Sequence, residues 1–368
     1  MVMVKVKRDE LLTPLSSVSG IIERRHTLPI LSNVLMERAG DRLSFLATDI
    51  EMQIVARGSA GTAGEARAIT VGARKLVDIL RALPADAEVT LQMQDKRLLV
   101  KAGRSRFTLQ TLPPEDFPRL AKPTGEVARF SVPQRTLRKH LALVQYAMAQ
   151  QDIRYYLNGL LAVVDAKQLR LVATDGHRLA FTSMKLDADL PAQEVIIPRK
   201  TVIELGKLLA DSDDPVQVEI SATQAAFSFG EIELVSKLVD GKFPDYTRVI
   251  PAGHRNRLSI DRETLRQSLG RAAILSNEKV RGVRWVLTQD SLKIVSSNTE
   301  QEEAVEELEV KYGGDALDIG FNVTYLLDVL NNVSAAEVAA SFGDAASSAL
   351  VEFATEADFK YVVMPMRI

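Results

Sequence analysis

The sequence predicts an α+β protein made of three tandem copies of one domain, each with two helices packed on antiparallel sheets. Three observations support this fold class. The chain has 368 residues, more than one hydrophobic core usually serves. Leucine patterns recur at a period of about 125 residues, and short segments between them alternate apolar and polar residues. We place the domains at residues 1–125, 126–254 and 255–368.

The first repeated pattern is an amphipathic helix. Leucines spaced four apart lie on one face of a helix, and each copy has one such pair: Leu11 and Leu15, Leu137 and Leu141, and Leu265 and Leu269. Residues typical of a helix start precede them: Asp9, Ser131 with Pro133, and Asp261. A second helix recurs around Leu80, Leu205 and Leu330. Each copy therefore supplies two helices.

A third pattern is a strand that ends in a turn. It occurs at residues 43–49, 169–175 and 292–298, and each time Thr or Ser is followed by Asp or Asn. Two copies also share a segment that begins with Leu and ends in Phe-Pro, at residues 112–118 and 238–244. Linkers containing Pro and Gly are expected at residues 121–126 and 251–256.

Composition excludes several kinds of chemistry. The chain holds no cysteine, so disulfides, thiolate nucleophiles and Cys-ligated metals are excluded. The four histidines do not pair at metal-ligand spacing, and we expect neither a metal nor another cofactor. Residues 58–64 lack the Lys-Ser/Thr of a phosphate loop and predict a flexible hairpin tip. No apolar run approaches the ~20 residues that span a bilayer, so we expect a cytoplasmic protein without a membrane partner.

The most suggestive local motif is Thr-Asp-Gly-His-Arg at residues 174–178. An Asp and a His this close are compatible with acid–base catalysis by a hydrolase. The repeats favour another interpretation, because the position of Asp175 is Asp49 in copy one and Asn298 in copy three. That equivalence indicates a shared turn, whereas Gly-His-Arg is confined to copy two. A surface pocket specific to copy two and a purely structural turn are the alternatives to catalysis.

Charge is distributed unevenly along the chain. The six predicted helical segments together carry +6, whereas the whole chain carries −2. Helices that share one side of an assembly would therefore attract phosphate without reading base sequence. The alternative is that Lys and Arg simply favour helices. The segment at residues 151–156, which contains two tyrosines, is predicted either to stack on bases or to belong to the core.

An acidic run in copy three has a basic counterpart in copy one. Residues 300–309 hold six glutamates, while Arg104 and Arg106 lie on a predicted strand with Phe107 and Leu109. Opposite charges at the two ends of a chain suit a head-to-tail contact between chains, which closes into a ring when the rotation permits. A solvated acidic strand is the alternative.

Across essentially its whole length, the chain resembles the bacterial DNA polymerase III beta subunit, the sliding clamp family. The motifs that carry the resemblance lie at residues 26–31, 152–159, 173–180, 236–241, 243–246, 272–279 and 361–367. It implies a non-enzymatic homodimeric ring, closed head to tail, with helices lining a hole through which duplex DNA passes. Its implied partners are DNA polymerases, the clamp loader and other replication and repair proteins, bound through short peptide motifs. Residues 58–67 and 335–346 look unlike the family and are expected to be outer loops.

The resemblance also implies three sets of site residues. The client-peptide pocket would lie between copies two and three and would comprise Leu157, Thr174, Gly176, His177, Arg178, Leu179, Pro244, Arg248, Val249, Ser348, Val362, Met364, Pro365, Met366 and Arg367. The DNA contacts would include Arg25, Arg74, Gln151, Tyr155, Tyr156, Arg199 and Lys200. The dimer interface would join Lys75, Arg104, Arg106, Phe107 and Leu109 to Ile274, Leu275, Glu300, Glu302, Glu303 and Glu306. An open monomeric DNA-binding scaffold remains the rival to a ring.

Overall fold

The computed structural model describes residues 2–23, 28–61 and 64–368. Within them the chain forms six α-helices: α1 (Arg8–Ser19), α2 (Ala73–Ala82), α3 (Gln134–Val144), α4 (Arg199–Leu208), α5 (Arg262–Ala272) and α6 (Val323–Asn332). The first half of the chain contributes these strands: β1 (Val2–Lys7), β2 (Asn33–Ala39), β3 (Arg42–Thr48), β4 (Met52–Ser59), β5 (Arg67–Gly72), β6 (Glu88–Gln94), β7 (Arg97–Ala102), β8 (Ser105–Leu112), β9 (Ala128–Pro133), β10 (Gly159–Thr174) and β11 (Arg178–Pro198).

The second half contributes these: β12 (Pro215–Ile220), β13 (Gln224–Phe229), β14 (Ile232–Lys237), β15 (Asn256–Asp261), β16 (Gly282–Thr288), β17 (Ser291–Ser297), β18 (Glu303–Glu309), β19 (Lys311–Tyr312), β20 (Leu317–Asn322), β21 (Glu337–Phe342), β22 (Ala349–Glu352) and β23 (Phe359–Val363). The strand pairs are antiparallel, as predicted for sheets with one solvated face.

The chain divides into two compact units. Unit 1 comprises Met1–Thr136 and Ile203–Leu238, and unit 2 comprises Leu137–Val202 and Val239–Ile368. A twelve-stranded sheet runs through unit 1 in the order β1-β6-β7-β8-β5-β2-β3-β4-β14-β13-β12-β9. Helices α1 and α2 pack together in this unit, and α1 covers β3 and β4. The sheet therefore joins strands from the first and second predicted copies.

Unit 2 contains two sheets. The larger has seven strands in the order β10-β11-β23-β22-β21-β15-β19, and the smaller has four in the order β18-β17-β16-β20. Helices α5 and α6 pack against each other in this unit. Strand β18 lies at the edge of the four-stranded sheet and presents one side without a strand partner among the described residues.

The predicted repeat is confirmed by burial. The paired leucines of the first helix lie in α1, α3 and α5 and are at most 4% exposed. Leu80, Leu205 and Leu330 occupy α2, α4 and α6 and are at most 2% exposed. The same four-residue spacing recurs in the three copies because each pair of leucines packs the buried face of one helix against a sheet.

The expected helix starts were only partly right. Asp261 does cap α5, since its carboxylate accepts the backbone N–H of Thr264 at 2.7 Å. Pro133 directly precedes α3. Asp9, however, lies inside the first turn of α1, and it is Glu10 that accepts the backbone N–H of Lys7 at 2.9 Å. Helix α1 therefore begins two residues earlier than a cap at Asp9 would require.

The two segments expected to be outer loops, residues 58–67 and 335–346, have different outcomes. The described residues between β4 and β5 lie outside helices and strands, whereas the expectation for residues 335–346 was wrong. Residues 58–64 do not connect a hairpin, because β4 and β5 are not neighbours in the sheet. The buried guanidinium of Arg38 donates to the carbonyls of Met3 at 2.6 Å, Ala60 at 3.0 Å and Gly61 at 2.9 Å, which fastens the described part of this segment. Residues 335–346 contain β21, which pairs with both β15 and β22 inside the larger sheet of unit 2.

The remaining expectations about organisation have different outcomes. Residues 121–126 and 251–255 lie outside helices and strands, as expected of linkers. The boundaries at 125 and 254 remain a prediction. None of the described helices is long and apolar enough to cross a membrane.

Candidate functional site

A cavity of about 190 Å³ opens on unit 2, beside the turn that links β10 to β11. Its wall is mainly apolar, with arginine, histidine and threonine at the margin. The lining residues are Arg154, Tyr156, Leu157, Thr174, Gly176, His177, Arg178, Leu179, Phe243, Pro244, Tyr246, Val249, Val362 and Met364. Several of them, including Leu157, Leu179 and Val362, also belong to the buried core below, so the floor of the cavity is rigid. Such a mixture suits a ligand with apolar anchors and a few polar groups.

The turn beside the cavity is held by its own side chains. The Oγ1 of Thr174 donates to the carbonyl of Arg178 at 2.6 Å and accepts the backbone N–H of Gly176 at 3.1 Å. The carboxylate of Asp175 accepts the backbone N–H groups of His177 at 2.9 Å and Arg178 at 3.1 Å. Gly176 has a φ of +89°, which favours glycine. This local bonding explains why the sequence needs Thr-Asp-Gly here.

The same turn recurs in the other copies. In copy one the Oγ1 of Thr48 donates to the carbonyl of Met52 at 2.8 Å, and Asp49 accepts the backbone N–H of Met52 at 2.8 Å. In copy three Asn298 accepts the backbone N–H groups of Glu300 and Glu302, both at 3.0 Å. The shared turn role predicted from the repeats is therefore confirmed.

Arg178 differs from the rim residue that the sequence suggested. Its guanidinium donates to Asp175 at 3.0 Å, to Asp328 of α6 at 2.5 Å and to the carbonyl of Tyr146 at 2.7 Å. The side chain is 9% exposed, and its Cζ lies 4.4 Å from the centre of the Tyr325 ring. Each nitrogen of this guanidinium therefore has a partner within the chain, and a bond from Arg178 to a peptide backbone stays a prediction. Arg178 supports the turn from behind.

The surroundings of Arg178 favour its charge. Burial alone lowers its pKa, but the phenol of Tyr361 and the carboxylates of Asp328 and Asp175 raise the pKa above its usual value. Burial also raises the pKa of Tyr361 and of Tyr146, so both phenols are protonated at neutral pH. The Tyr361 hydroxyl donates to the carbonyl of Tyr325 at 2.9 Å.

The hydrolase alternative gains no support from this geometry. Both oxygens of Asp175 are engaged, one by backbone N–H groups and the other by Arg178. Across residues 2–23, 28–61 and 64–368, the structure groups no three His, Asp or Glu side chains in a way that could hold a metal ion. Asp175 and His177 are near neighbours because they share a turn.

Ten of the fifteen residues predicted for the pocket line the cavity, and five do not. The five are Arg248, Ser348, Pro365, Met366 and Arg367. The Arg248 side chain is 86% exposed and pairs with Asp245 at 2.9 Å, so it extends along the surface. For Met366 the backbone is engaged instead, because its N–H donates to the carbonyl of Gly320 at 2.9 Å.

Four lining residues were missing from the predicted pocket: Arg154, Tyr156, Phe243 and Tyr246. Tyr156 is instead among the residues that the resemblance implies as DNA contacts. Phe243 belongs to the repeated Phe-Pro segment, and that repeat was the available signal. Arg154 is positioned by Asp152, whose carboxylate accepts from its Nε at 3.0 Å and its Nη2 at 2.9 Å. These bonds lower the pKa of Asp152 to about 2.

The residues predicted to contact DNA are in different environments. Gln151 and Tyr155 are exposed in the segment before β10, as is Arg74 at the start of α2. Lys200 is half-buried. Arg199 is also half-buried and donates to the carbonyl of Met148 at 2.9 Å; burial, followed by the charge of Arg178, lowers its pKa. Arg25 lies outside the described residues.

The positive charge counted on the helices is partly neutralised within the chain. Arg135 of α3 pairs with Asp211 at 2.6 Å, and Arg271 of α5 pairs with Glu306 at 2.5 Å; both acidic partners lie outside the counted segments. The formal charge of the helical segments therefore overstates the field that these helices present.

The residues predicted for the dimer interface lie on two sheet edges. In unit 1, β8 pairs with β5 only near Leu112, so the part from Ser105 to Gln110 has β7 on one side and no strand on the other among the described residues. In unit 2, β18 has β17 as its one described strand partner. Arg104, Arg106, Glu300, Glu302 and Glu303 are exposed, as is Lys75, whereas Phe107, Leu109, Leu275 and Glu306 are half-buried. Ile274 is 76% exposed.

These features define a class of protein in which repeated helix-on-sheet domains follow one another as clamp domains. Models of the three domains of the DNA polymerase III beta subunit match this chain: the N-terminal domain at residues 2–121, the central domain at 131–245 and the C-terminal domain at 247–367. The matches follow the order of the three predicted copies.

Whole-chain comparisons agree with the domain models. The chain is 50% identical over 366 residues to the beta sliding clamp of Pseudomonas aeruginosa and 48% identical over 363 residues to that of Escherichia coli strain K12, covering 99% of each chain in both cases. The crystal structure of the P. aeruginosa DNA polymerase III subunit beta bound to griselimycin matches with a TM-score of 0.95 at 48% identity over 100% of both chains. The Caulobacter crescentus beta sliding clamp matches with a TM-score of 0.94 at 38% identity, over 100% of this chain and 99% of that chain.

The chain belongs to the DNA polymerase III beta subunit family, the beta sliding clamps. The resemblance, the three-domain fold and the function of a DNA sliding clamp predicted from the sequence are confirmed at this level.

Proposed function

We propose that two copies of this chain close head to tail into a ring around duplex DNA, and that the cavity of unit 2 holds client proteins by a short peptide. In this proposal the chain is a processivity factor of the cytoplasm and catalyses no reaction. Its partners are a second copy, DNA of any sequence, the clamp loader, polymerases and other replication and repair proteins.

The observation that carries the ring is a junction that occurs twice within the chain. The strand after the repeated turn in copy one, β4, pairs antiparallel with β14 of copy two in unit 1. The strand after the turn in copy two, β11, pairs antiparallel with β23 of copy three in unit 2. The strand after the turn in copy three is β18, whose outer edge is open among the described residues. By the same rule its partner is the counterpart of β14 and β23 in copy one, which is β8.

The repeat also gives the register of that third junction. Met52 lies opposite Ser236 and Ala56 lies opposite Ile232. The offset of 126 that relates Phe117 to Phe243 converts Ser236 and Ile232 into Gln110 and Arg106. The turn geometry converts Met52 and Ala56 into Glu302 and Glu306. Across two chains, Glu302 then lies opposite Gln110 and Glu306 opposite Arg106, which places opposite charges face to face.

Apolar side chains beside these edges suit the same junction. Ile274 is 76% exposed and Val305 is 44% exposed. Both lie beside the acidic edge, where Phe107 and Leu109 of another copy would cover them. Burying such side chains adds about 25 cal/mol per Å² of apolar surface, and the charged residues around them select the partner edge.

The cavity supports peptide binding by its composition. Leu157, Leu179 and Val362 offer a rigid apolar floor, and Met364 adds an adaptable side chain at the wall. His177 and Arg154 lie at its margin, where they can bond polar groups of a peptide. A relative that is 48% identical was solved bound to griselimycin, and we use this compound as a probe of the cavity.

A ring needs little affinity for DNA. Once it is closed, escape requires opening an interface or reaching a DNA end, so weak and salt-screened contacts are enough and permit sliding. A polymerase tethered to the ring stays near the primer end at high effective concentration, which raises processivity. Arg74, Gln151, Tyr155 and the other residues assigned to DNA would supply those weak contacts.

Retention on DNA of different topology tests the ring. We expect the chain, once loaded, to stay on closed circular DNA at moderate salt and to be lost when one cut makes the circle linear. A groove-binding monomer would be retained equally on both molecules. Equal retention would therefore reject the ring in favour of the open scaffold.

Charge exchange tests the register. Arg106→Glu or Glu306→Lys alone should shift the molar mass in solution from two chains towards one, and the two substitutions in the same chain should restore the dimer. Arg257→Glu, at an exposed position of β15, is the matched control and should leave the mass unchanged. If neither Arg106→Glu nor Glu306→Lys changes the molar mass, the acidic run is only a solvated surface.

A further inference from the structure

Residues 364–368 form a short segment that connects the pocket turn to β20. The backbone N–H of Met364 donates to the carbonyl of His177 at 2.9 Å, and the N–H of Met366 donates to the carbonyl of Gly320 at 2.9 Å. Gly320 and Met366 thereby form an isolated antiparallel bridge. Met364, the first residue of the segment, forms part of the cavity wall. The position of this wall is fixed by two anchors, one at the turn and one at β20.

The anchor at β20 has no space for a side chain. A Cβ on Gly320 would stand 2.5 Å from the carbonyl oxygen of Met366 and 2.7 Å from both Cδ1 and Cγ1 of Ile368. The φ of Gly320 lies outside the left-handed region, so the requirement concerns space and not backbone conformation. Its nearest obstacle is a backbone atom, which cannot move without moving the segment.

We propose that Gly320 is a positioning residue for the pocket: its bare backbone lets residues 364–368 close onto β20 and thereby holds Met364 in the cavity wall. A methyl group at this position breaks the bridge and displaces Met366. Two residues earlier in the same segment, Met364 shifts with it and the cavity loses part of its apolar wall. This inference rests on the proposed peptide-binding function and names a residue that the pocket needs without touching the ligand.

Gly282 provides the matched control. It lies on β16, the strand next to β20. A Cβ there would stand 3.3 Å from Cδ1 and Cγ1 of Ile368, and its three nearest atoms all belong to that one flexible side chain. The side chain can rotate away without moving the backbone of Met366. The two glycine positions therefore differ in whether the bridge to Met366 survives.

The test is a titration of griselimycin into the full chain and its variants. Gly320→Ala should weaken binding about tenfold, equivalent to about 1.4 kcal/mol, while Gly282→Ala should change it less than about twofold. Molar mass in solution should be that of wild type for both. Equal affinity in wild type and Gly320→Ala would overturn the inference alone. A wild-type chain that fails to bind griselimycin would overturn the proposed pocket, and the inference with it.

Two further variants separate positioning from a general effect on the sheet. Met366→Pro removes the N–H that donates to Gly320 while leaving β20 intact, and it should weaken griselimycin binding as Gly320→Ala does. It also carries the test if Gly320→Ala does not fold, since wild-type affinity in Met366→Pro would refute the proposal. In a chain that ends at Pro365, adding Gly320→Ala should cause no further loss, because the two changes act through one contact. A further tenfold loss there would show that Gly320 acts through the sheet.

Discussion

The turn after β3 and the turn after β10 share the same backbone hydrogen bonds but differ in the side chains that follow them. Both use a Thr hydroxyl and an Asp carboxylate to close the chain, with hydrogen bonds between equivalent atoms. In copy one the residue that follows is Met52, which is 1% exposed and serves the core. In copy two it is Arg178, which donates to Asp175 and Asp328.

The difference shows how a pocket can be added to a repeated domain. The turn itself is common structure, so its presence in a copy indicates nothing about binding. Copy two differs in the side chains around its turn. They are His177, Met364 in the cavity wall, and the Arg178 cluster, which consists of Arg178 and its partners Asp175 and Asp328. A motif in a repeat protein is therefore best judged by what its counterparts in the other copies lack.

Removing Arg178 should cause the largest loss of stability at the copy-two turn. Arg178→Ala leaves Asp175 and Asp328 without their cation, and we expect it to lower the free energy of unfolding by about 3 kcal/mol. Thermal or denaturant unfolding measures this loss. Arg248→Ala, which removes an exposed arginine paired with Asp245, should cost less than about 0.5 kcal/mol. Equal costs for the two variants would mean that the Arg178 cluster does not support the turn.

His140 of α3, in copy two, should make the free energy of unfolding depend on pH. Burial, followed by the charge of Lys139, lowers the pKa of His140 to about 4, with Glu356 and Asp358 acting weakly in the opposite direction. The Nδ1 of His140 lies 2.8 Å from the Oγ1 of Thr182. The positions in copies one and three that match His140 are Pro14 and Ser268, and neither of them titrates.

Because this folded-state pKa lies below the ordinary value, His140 takes up its proton more readily in the unfolded chain. Its contribution to stability is therefore present above about pH 6.5 and is lost as the pH falls towards about 4, by at most about 3 kcal/mol. His140→Gln should flatten the dependence of unfolding free energy on pH in that window. An unchanged pH profile in the variant would contradict the assignment.

Shortening the pocket wall should have a smaller effect, confined to binding. We expect Met364→Ala to weaken griselimycin binding about tenfold, or about 1.4 kcal/mol, because Met364 lines the cavity and is already 40% exposed. Titration calorimetry would measure the affinity, and the molar mass should remain that of the dimer. Unchanged affinity in both Met364→Ala and Arg178→Ala would remove the pocket assignment.

The two turns also differ at the residue with a positive φ, and substitutions there should change stability only slightly. Ile50 in the copy-one turn has a φ of +69°, whereas its counterpart in copy two is Gly176 at +89°. A branched side chain is strained there, so Ile50→Gly should raise the free energy of unfolding by about 1 kcal/mol. Griselimycin affinity should not change. In contrast, Gly176→Ala should destabilise, since a residue with a Cβ is strained at a φ of +89°.

The repeat made much of the fold predictable. Leucines spaced four apart identify α1, α3 and α5 in the sequence, and the Thr-Asp signature identifies the ends of β3 and β10. These signals are local in the chain and depend on helix and turn geometry alone. Residues 335–346 were misjudged because the place of β21 between β15 and β22 depends on strands far away in the sequence.

The candidate site was predictable in outline and not in its bonding. The resemblance supplied ten residues that line the cavity. It did not indicate that Arg178 forms an ion pair with Asp328, a residue 150 positions later. The pairing of Glu306 with Arg271 was equally hidden, since charge counting along a sequence does not reveal which charges meet. Long-range ion pairs are the part of such a site that requires a structure.

All fourteen residues around the cavity come from one unit of one chain. Each subunit of the proposed ring therefore carries its own copy of these fourteen residues. In the proposed ring of two chains, two client proteins can bind at once, and one can dissociate while the other stays bound. Clients at a replication fork would then exchange while the ring remains on the DNA.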